Sequence, residues 1–254
     1  MKITIITVCF NSAATIGQTL ESVNAQSYKN IEHIIVDGKS TDDTLEIIAK
    51  KGTHVSKLLS EKDCGIYDAM NKGISIATGD VIGFLNSDDV FAGVDVVSTI
   101  AKTMADLSFD ACYGDLVYVE KYDLNKIVRY WKSCKYHSGL FERGWVAAHP
   151  TFYARREIYQ RYGGFDLNFT LAADFDVILR FLRVKCISSV YIPEVLVRMR
   201  LGGASNSGFF SLIRQNIEIA KAFRKYNLNV GLKLFLFRVT TRFLQFIRRP
   251  NSRA

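Results

Sequence analysis

The chain is poor in the features that would mark it as secreted, membrane-spanning or nucleotide-cradling in a familiar way. Its five cysteines, Cys9, Cys64, Cys112, Cys134 and Cys186, are odd in number and scattered, with no Cys-x-x-Cys pair. That argues against a disulfide framework and suits reduced thiols in a cytoplasm. Long apolar runs are missing too: none approaches the length of a spanning helix, and an apolar strand pattern begins at once with no signal-peptide pattern before it. A soluble or peripheral protein is therefore expected. No Gly-x-Gly-x-x-Gly and no Gly-x-x-x-x-Gly-Lys-Ser/Thr run opens any helical segment, so a dinucleotide fingerprint and a Walker loop are both excluded. His33, His54 and His137 lack metal-ligand spacing, and no repeat or low-complexity segment is present. What is there is 254 residues at 48% hydrophobic content, enough for one large α/β domain with an appendage.

Four apolar segments each run into polar residues. Residues 2–8 lead to Cys9-Phe10-Asn11-Ser12, where Asn11 or Ser12 is placed to cap a helix bearing Ile16, Leu20 and Val23. Residues 31–36 lead to Asp37-Gly38-Lys39-Ser40-Thr41-Asp42-Asp43 and a helical pattern at Leu45, Ile48 and Ala49. Residues 55–59 lead to Asp63-Cys64-Gly65 and a helix holding Tyr67, Asp68, Asn71 and Lys72, and residues 81–85 lead to Asn86-Ser87-Asp88-Asp89. Such alternation implies right-handed crossovers and a parallel sheet, which lines the polar strand ends along one edge. Asp37, Asp63, Asp88 and Asp89 then converge. Hard carboxylate oxygens suit Mg²⁺ or Mn²⁺, which take their remaining ligands from water and a substrate's phosphates. Alone, Asn-Ser-Asp-Asp suits an Asx turn as well, and Asp42 and Asp43 suit helix caps. Four convergent ends favour a site.

The order of these segments resembles glycosyltransferase family 2. It is carried by Thr7-Val8-Cys9-Phe10-Asn11, Val36-Asp37-Gly38-Lys39-Ser40-Thr41-Asp42, Gly65-Ile66-Tyr67-Asp68-Ala69-Met70-Asn71-Lys72-Gly73, Thr78-Gly79-Asp80 and Leu85-Asn86-Ser87-Asp88-Asp89. It continues through Ala148-His149-Pro150-Thr151, Gly163-Gly164-Phe165-Asp166, Leu171-Ala172-Ala173-Asp174-Phe175-Asp176 and Gly202-Gly203-Ala204-Ser205, over most of residues 1–208. The resemblance implies an α/β, GT-A-like nucleotide-diphospho-sugar transferase fold, with a mostly parallel central sheet flanked by helices, and inversion at the anomeric carbon. It implies that Asp37 hydrogen-bonds the donor's base, that backbone of the turn from Thr7 to Asn11 packs around that base, and that Asp63, Asn71, Lys72 and Asp88 also line the nucleotide-sugar site. Asp88 and Asp89 match the family's metal-binding acidic motif. The chain departs from the pattern at Asn86, where many relatives have the first acid of that motif, and at Gly38, where many have a second acid after Asp37. Which of Asp88 and Asp89 touches the metal stays open.

Transfer to a hydroxyl also needs a base within hydrogen-bond reach of the nucleophile. Asp174 is the candidate: it opens a helical pattern of Phe175, Ile178, Leu179 and Leu182, and the resemblance puts it at the acid of a Glu-Asp pair, with Ala173 in place of the Glu. The alternative is a helix cap worth about 1 kcal/mol. Asp176 is expected to pair with Arg180, four residues on. His149 suits either contact with diphosphate or acceptor, or a structural imidazole. Arg198 and Arg200 end a β pattern over residues 191–199 and precede a glycine-containing loop that suits either closure on the donor pyrophosphate, which Arg198 would then meet, or simple exposure to solvent. Residues 116–146, on the expected acceptor side, show no readable pattern.

Charge divides the chain into residues 1–208, the catalytic part, and 209–254, a basic helical extension with ten Lys or Arg against one Glu. Within the extension Leu232, Leu236, Val239, Phe243, Phe246 and Ile247 recur at helical spacing, with Arg238, Arg242, Gln245 and Arg249 opposite. Such a helix suits the anionic inner face of the cell membrane, and equally suits packing on the catalytic domain. No nucleic-acid module accompanies the charge. The expected activity is inverting transfer of a single sugar from a nucleotide-diphosphate sugar to a saccharide or lipid-linked saccharide, including a polyprenyl-diphosphate-linked one, in surface polysaccharide assembly. A non-catalytic nucleotide-sugar scaffold is the alternative, and a sugar nucleotidyltransferase is disfavoured because no Gly-rich, Arg-containing loop follows the first strand.

Overall fold

The computed structural model describes residues 1–202 and 209–229, with Gly231, Leu234, Arg238 and Gln245 beyond them. The first third alternates as its periodicity requires: β1 (Ile3–Cys9), α1 (Ile16–Asn24), β2 (Ile31–Asp37), α2 (Thr44–Lys51), β3 (Val55–Ser60), α3 (Ile66–Ile76) and β4 (Val81–Phe84). There follow β5 (Val90–Phe91), α4 (Val96–Met104), β6 (Ala111–Val119), β7 (Ile127–Trp131), β8 (Tyr153–Arg155), α5 (Arg156–Tyr162), α6 (Ala173–Leu179), β9 (Ser189–Arg200) and α7 (Phe209–Lys225).

These strands form one sheet in the order β3-β2-β1-β4-β8-β6-β9-β5, with β7 paired to β6. β1 to β4 run parallel, β8 is antiparallel to both neighbours, and β6 is parallel to β9. Every residue of β1 and β4 is buried because helices cover both faces, whereas β3 at the edge alternates. Successive side chains of a strand point to opposite faces. Thus Ile6 and Val8 of β1 join a core with Ala69 and Met70 of α3, Phe175 and Ile178 of α6 and Phe223 of α7, while Ile3 and Ile5 pack with Val97 and Ile100 of α4. Where β4 passes β8 there is no room for a side chain: a Cβ on Gly83 would lie 2.0 Å from the Tyr153 ring.

One local expectation is corrected. No side chain caps α1; instead the Ser12 carbonyl accepts the N–H groups of Thr15 and Ile16. Asn11 has φ +48° and is used elsewhere. Asp42, by contrast, does bond the Thr44 N–H, at 3.1 Å. Part of the C-terminal extension belongs to the same core, since Ile219, Ala222 and Phe223 of α7 and Leu234 are all buried in it. The remainder of the amphipathic stretch 232–249, apart from Leu234, Arg238 and Gln245, and the loop 203–208 lie outside the described residues. Among the described residues no helix is long and apolar enough to cross a membrane.

Candidate active site

Register brings the strand ends side by side: Cys9 pairs with Asp37 and Asp37 with Ser60. Their loops are tied to one another, because Asn11 Oδ1 accepts the Thr41 N–H at 2.9 Å. Asp37 is fully buried, and its oxygens accept hydrogen bonds from the N–H and hydroxyl of Ser40 and from the Ser60 hydroxyl at 2.6 Å. Burial pushes the neighbouring Cys9 thiol up, and the Asp37 charge adds to that. Thr7 is buried as well, 3.0 Å from His33 Nε2, and burial holds that imidazole down at about 4. The Thr7 and Asp37 side chains are thus enclosed, with no accessible surface.

Asp63 is more open. It is half-buried, with Oδ1 accepting the Gly65 N–H at 2.9 Å, and Oδ2 stands 2.6 Å from where a Cβ on Gly38 would be. The Asp63 carboxylate thus fills the space that a side chain at position 38 would take. Asn71 is spent on structure, its amide bonding both the N–H and the carbonyl of Phe165 at 2.8 and 2.9 Å. Lys72 holds the loop before α3, donating to the Lys62 carbonyl and pairing with Glu61, both at 2.8 Å.

The acid pair after β4 divides. Asp89 is fully buried, and its oxygens accept from the Arg200 N–H and the Asn86 amide, each at 3.3 Å. Burial raises its pKa well above the usual carboxylate range, and the Asp88 charge adds to the rise. Asp88 is only half-buried, and burial raises its pKa too, against the opposing charge of Arg200. The Arg200 guanidinium donates to the Asp88 backbone carbonyl and to Gln18, pinning the acidic loop to α1. Arg198 does not join this group; it donates to the Leu124 carbonyl and Asn125, at 3.2 and 3.1 Å. Beside Asp88, Asn86 Oδ1 is buried without a partner among the described residues. One carboxylate and one orphaned amide oxygen are hard donors of the kind Mg²⁺ or Mn²⁺ accepts when phosphates complete the shell. No cluster of three or more His, Cys, Asp or Glu side chains able to hold a metal exists among the described residues, so the donor's phosphates would have to supply that remainder.

Asp174 lies in the first turn of α6, half-buried, where the helix dipole favours a carboxylate. Its Oδ1 accepts the Phe175 N–H at 2.8 Å and the Tyr67 hydroxyl at 3.3 Å. Burial pushes the Tyr67 hydroxyl up, with the Asp174 charge contributing, so Tyr67 remains a donor. The segment entering α6 is held by Glu218 of α7, which accepts the N–H groups of Thr170, Leu171 and Ala172 at 3.1, 2.8 and 2.9 Å. Asp176 meets Arg180 at 3.6 Å as expected, but it is fully buried and also accepts from Lys225 and Tyr226, each at 3.0 Å.

Asp174, Tyr67, Asn86 and His149 share the wall of one cavity of about 360 Å³. His149 is 7% exposed, lies between the rings of Phe84 and Phe165 at 5.1 and 5.4 Å, and has no partner for Nε2 among the described residues. Burial lowers its pKa against the opposing Asp174 charge, so the ring is neutral near pH 7. Ten of its lining residues come from 116–146, the stretch without a readable pattern, among them Trp131 and Trp145. Sequence reasoning missed those tryptophans, Arg129 and Glu218, because none stands in a motif and only long-range packing brings them here.

Residues 4–163 match the model of glycosyl transferase family 2. An uncharacterized glycosyltransferase of Mycobacterium tuberculosis is 33% identical over 183 residues, 70% of this chain and 68% of that protein. A PGL/p-HBAD biosynthesis glycosyltransferase of Mycobacterium bovis is 28% identical over 215 residues, 80% of this chain and 78% of that protein. Among solved structures, the mannosyltransferase PcManGT from Pyrobaculum calidifontis, in complex with GDP-Man and Mn2+, matches with a TM-score of 0.66 and 19% identity over 96% of this chain and 69% of that one. The shared fold is GT-A-like.

Proposed function

The chain belongs to glycosyl transferase family 2 and is a glycosyltransferase, and we propose that it moves a single sugar, with inversion, from a nucleotide-diphosphate sugar to a hydroxyl of a saccharide or lipid-linked saccharide. The observation that carries the finer reading is that Asp174 and the acid-loop residue Asn86 face one cavity. In this reading the donor lies along the strand ends, with Asp63 beside its base and Asp88 and Asn86 at its phosphates. Asp88, rather than the enclosed Asp89, together with Asn86 Oδ1 would hold a divalent cation; such an ion offsets the charge that grows on the departing nucleoside diphosphate. The acceptor hydroxyl enters from the cavity side, and Asp174 takes its proton as the oxygen forms the new bond at the anomeric carbon. One in-line displacement inverts that carbon. Tyr67, donating to Asp174, and Glu218, fixing the entry to α6, keep the carboxylate in place. The PGL/p-HBAD relative supports a place in glycolipid or surface-polysaccharide assembly.

Replacing the base while keeping its shape tests the assignment. Asp174→Asn is expected to lower transfer by about 100- to 10,000-fold, the range for a positioned general base, while calorimetric donor binding stays at the parent value. Transfer within a few-fold of the parent would overturn the role of Asp174. Loss of donor binding in the parent itself would overturn the whole reading.

A further inference from the structure

Three observations about the cavity point past Asp174 to the acceptor. The first is charge. Among the described residues its lining contains three permanent cations, Arg129, Lys132 and Arg238, against the one carboxylate of Asp174. Arg129 is held in position, its guanidinium 4.5 Å from the Tyr118 ring centroid and 5.9 Å from that of Trp131, and its Nε donates to Gln245 at 2.6 Å. Lys132 is exposed at the rim. A wall so biased attracts an anion, and guanidinium and ammonium groups bind phosphate or carboxylate through charge-assisted hydrogen bonds.

The second observation is unmet polarity. Besides Asn86 Oδ1 and His149 Nε2, the lining residues Ser133 and Trp145 carry a buried hydroxyl and a buried indole nitrogen without partners among the described residues. A native structure rarely leaves so many buried polar atoms together unless something else meets them. The hydroxyls of a sugar, which donate and accept, suit both the donor-only indole nitrogen and the two-way serine hydroxyl.

The third is the source of the wall. Arg238 and Gln245 come from the C-terminal extension, beyond the family match at residues 4–163. Arg238 packs over Gly144, whose φ is +78°; a Cβ there would lie 2.6 Å from the arginine side chain. The extension therefore completes this cavity.

We propose that the cavity is a subsite for an anionic acceptor, a saccharide bearing a phosphate or carboxylate, gripped by Arg129 and Lys132 and by Arg238 from the C-terminal extension. The proposal rests on the reading of Asp174 as the base. It gives the basic extension a role in choosing the acceptor, distinct from any contact with lipid.

The chain's two tryptophans, Trp131 and Trp145, both line this cavity, so intrinsic fluorescence reports on it directly. The full chain, in chelator to keep anions from a metal-assisted site, is titrated with glucose 1-phosphate, glucuronate and methyl glucoside. At least one anionic sugar is expected to give a saturable change at a concentration about tenfold or more below that needed for methyl glucoside, and the tighter of the two identifies the anion. That affinity should fall with salt, and about tenfold or more in Lys132→Ala and in Arg238→Ala, the loss expected for one charge-assisted hydrogen bond. The Lys132 variant changes an exposed side chain, so it keeps the test open if Arg238→Ala perturbs the fold. Equal affinity for the neutral sugar, no response to either anion, or unchanged affinity in both variants overturns the proposal. Nucleotide-sugar binding by the parent protein is measured separately; its failure sinks the transferase reading of the site and leaves the fluorescence result standing by itself.

Discussion

Replacing Glu32 with Gln should destabilise the fold strongly at neutral pH and hardly at all in strong acid. Glu32 lies near the start of β2, at the sheet edge opposite the acid loops, and is 5% exposed. Its Oε2 accepts the Thr4 hydroxyl and the Thr78 N–H, both at 2.7 Å, and the Gly79 N–H at 3.2 Å; its Oε1 accepts the Thr78 hydroxyl at 2.6 Å and lies 3.2 Å from Lys57. Burial alone would raise its pKa, yet the hydrogen bonds from Thr78 and Thr4, with Lys57, outweigh burial and hold it at about 2 against an ordinary 4.5. That difference is worth about 3 kcal/mol to the folded state. The sign follows from the depressed value: the stabilisation is complete above about pH 4.5 and is lost as pH falls toward 2. Gln keeps the shape but turns an amide donor toward groups that are themselves donors, so the variant should lose about that 3 kcal/mol at pH 7. Urea unfolding of parent and variant between pH 7 and pH 3, followed by fluorescence, measures the gap. It should narrow as pH drops, and donor binding by the folded variant should match the parent. A gap below about 1 kcal/mol at pH 7, or one independent of pH, would refute the assignment of this network as ionic.

Two further substitutions probe close approaches. Gly38→Asp restores the acid that many relatives carry, but its Cβ would fall 2.6 Å from Asp63 Oδ2; donor binding should weaken about tenfold, the value of one hydrogen bond to a charged group, and recover when Asp63→Ala is added, as isothermal titration would show. Gly83→Ala would put a methyl 2.0 Å from the buried Tyr153 ring, and chemical denaturation should reveal a loss of about 1–3 kcal/mol, the usual range for overpacking.

Much of this molecule is written locally. Apolar runs ending at residues 8, 36, 59 and 85, each followed by turn residues and a helical period, determine β1 to β4 and their helices, because strand and helix periodicity depend on neighbours in sequence. Parallel order follows from the crossovers, and with it the gathering of Asp37, Asp63, Asp88 and Asp89 toward one edge. The start of α6 at Ala173, with Asp174 in its first turn, was legible for the same reason. Which of those carboxylates stays open to solvent was not. Asp37 and Asp89 are enclosed by Ser40, Ser60, Asn86 and Arg200, whereas Asp63 and Asp88 are partly open, and nothing in an isolated Asp distinguishes the two fates. Arg198 and Arg200 are two residues apart on one strand, yet only Arg200 reaches the acid loop. Tyr67 meets Asp174 across 107 residues, and Glu218 holds the entry to α6 from a helix that composition marked only as basic. Residues 116–146 hold the end of β6, all of β7 and the irregular segment beyond it; the cavity-lining residues of that segment, from Lys132 to Cys134 and from Gly144 to Val146, each answer to a different distant neighbour, and no period records them. Local chemistry determines which elements form; burial and long-range hydrogen bonding, settled only when the layers close, decide which charges are enclosed and which remain accessible.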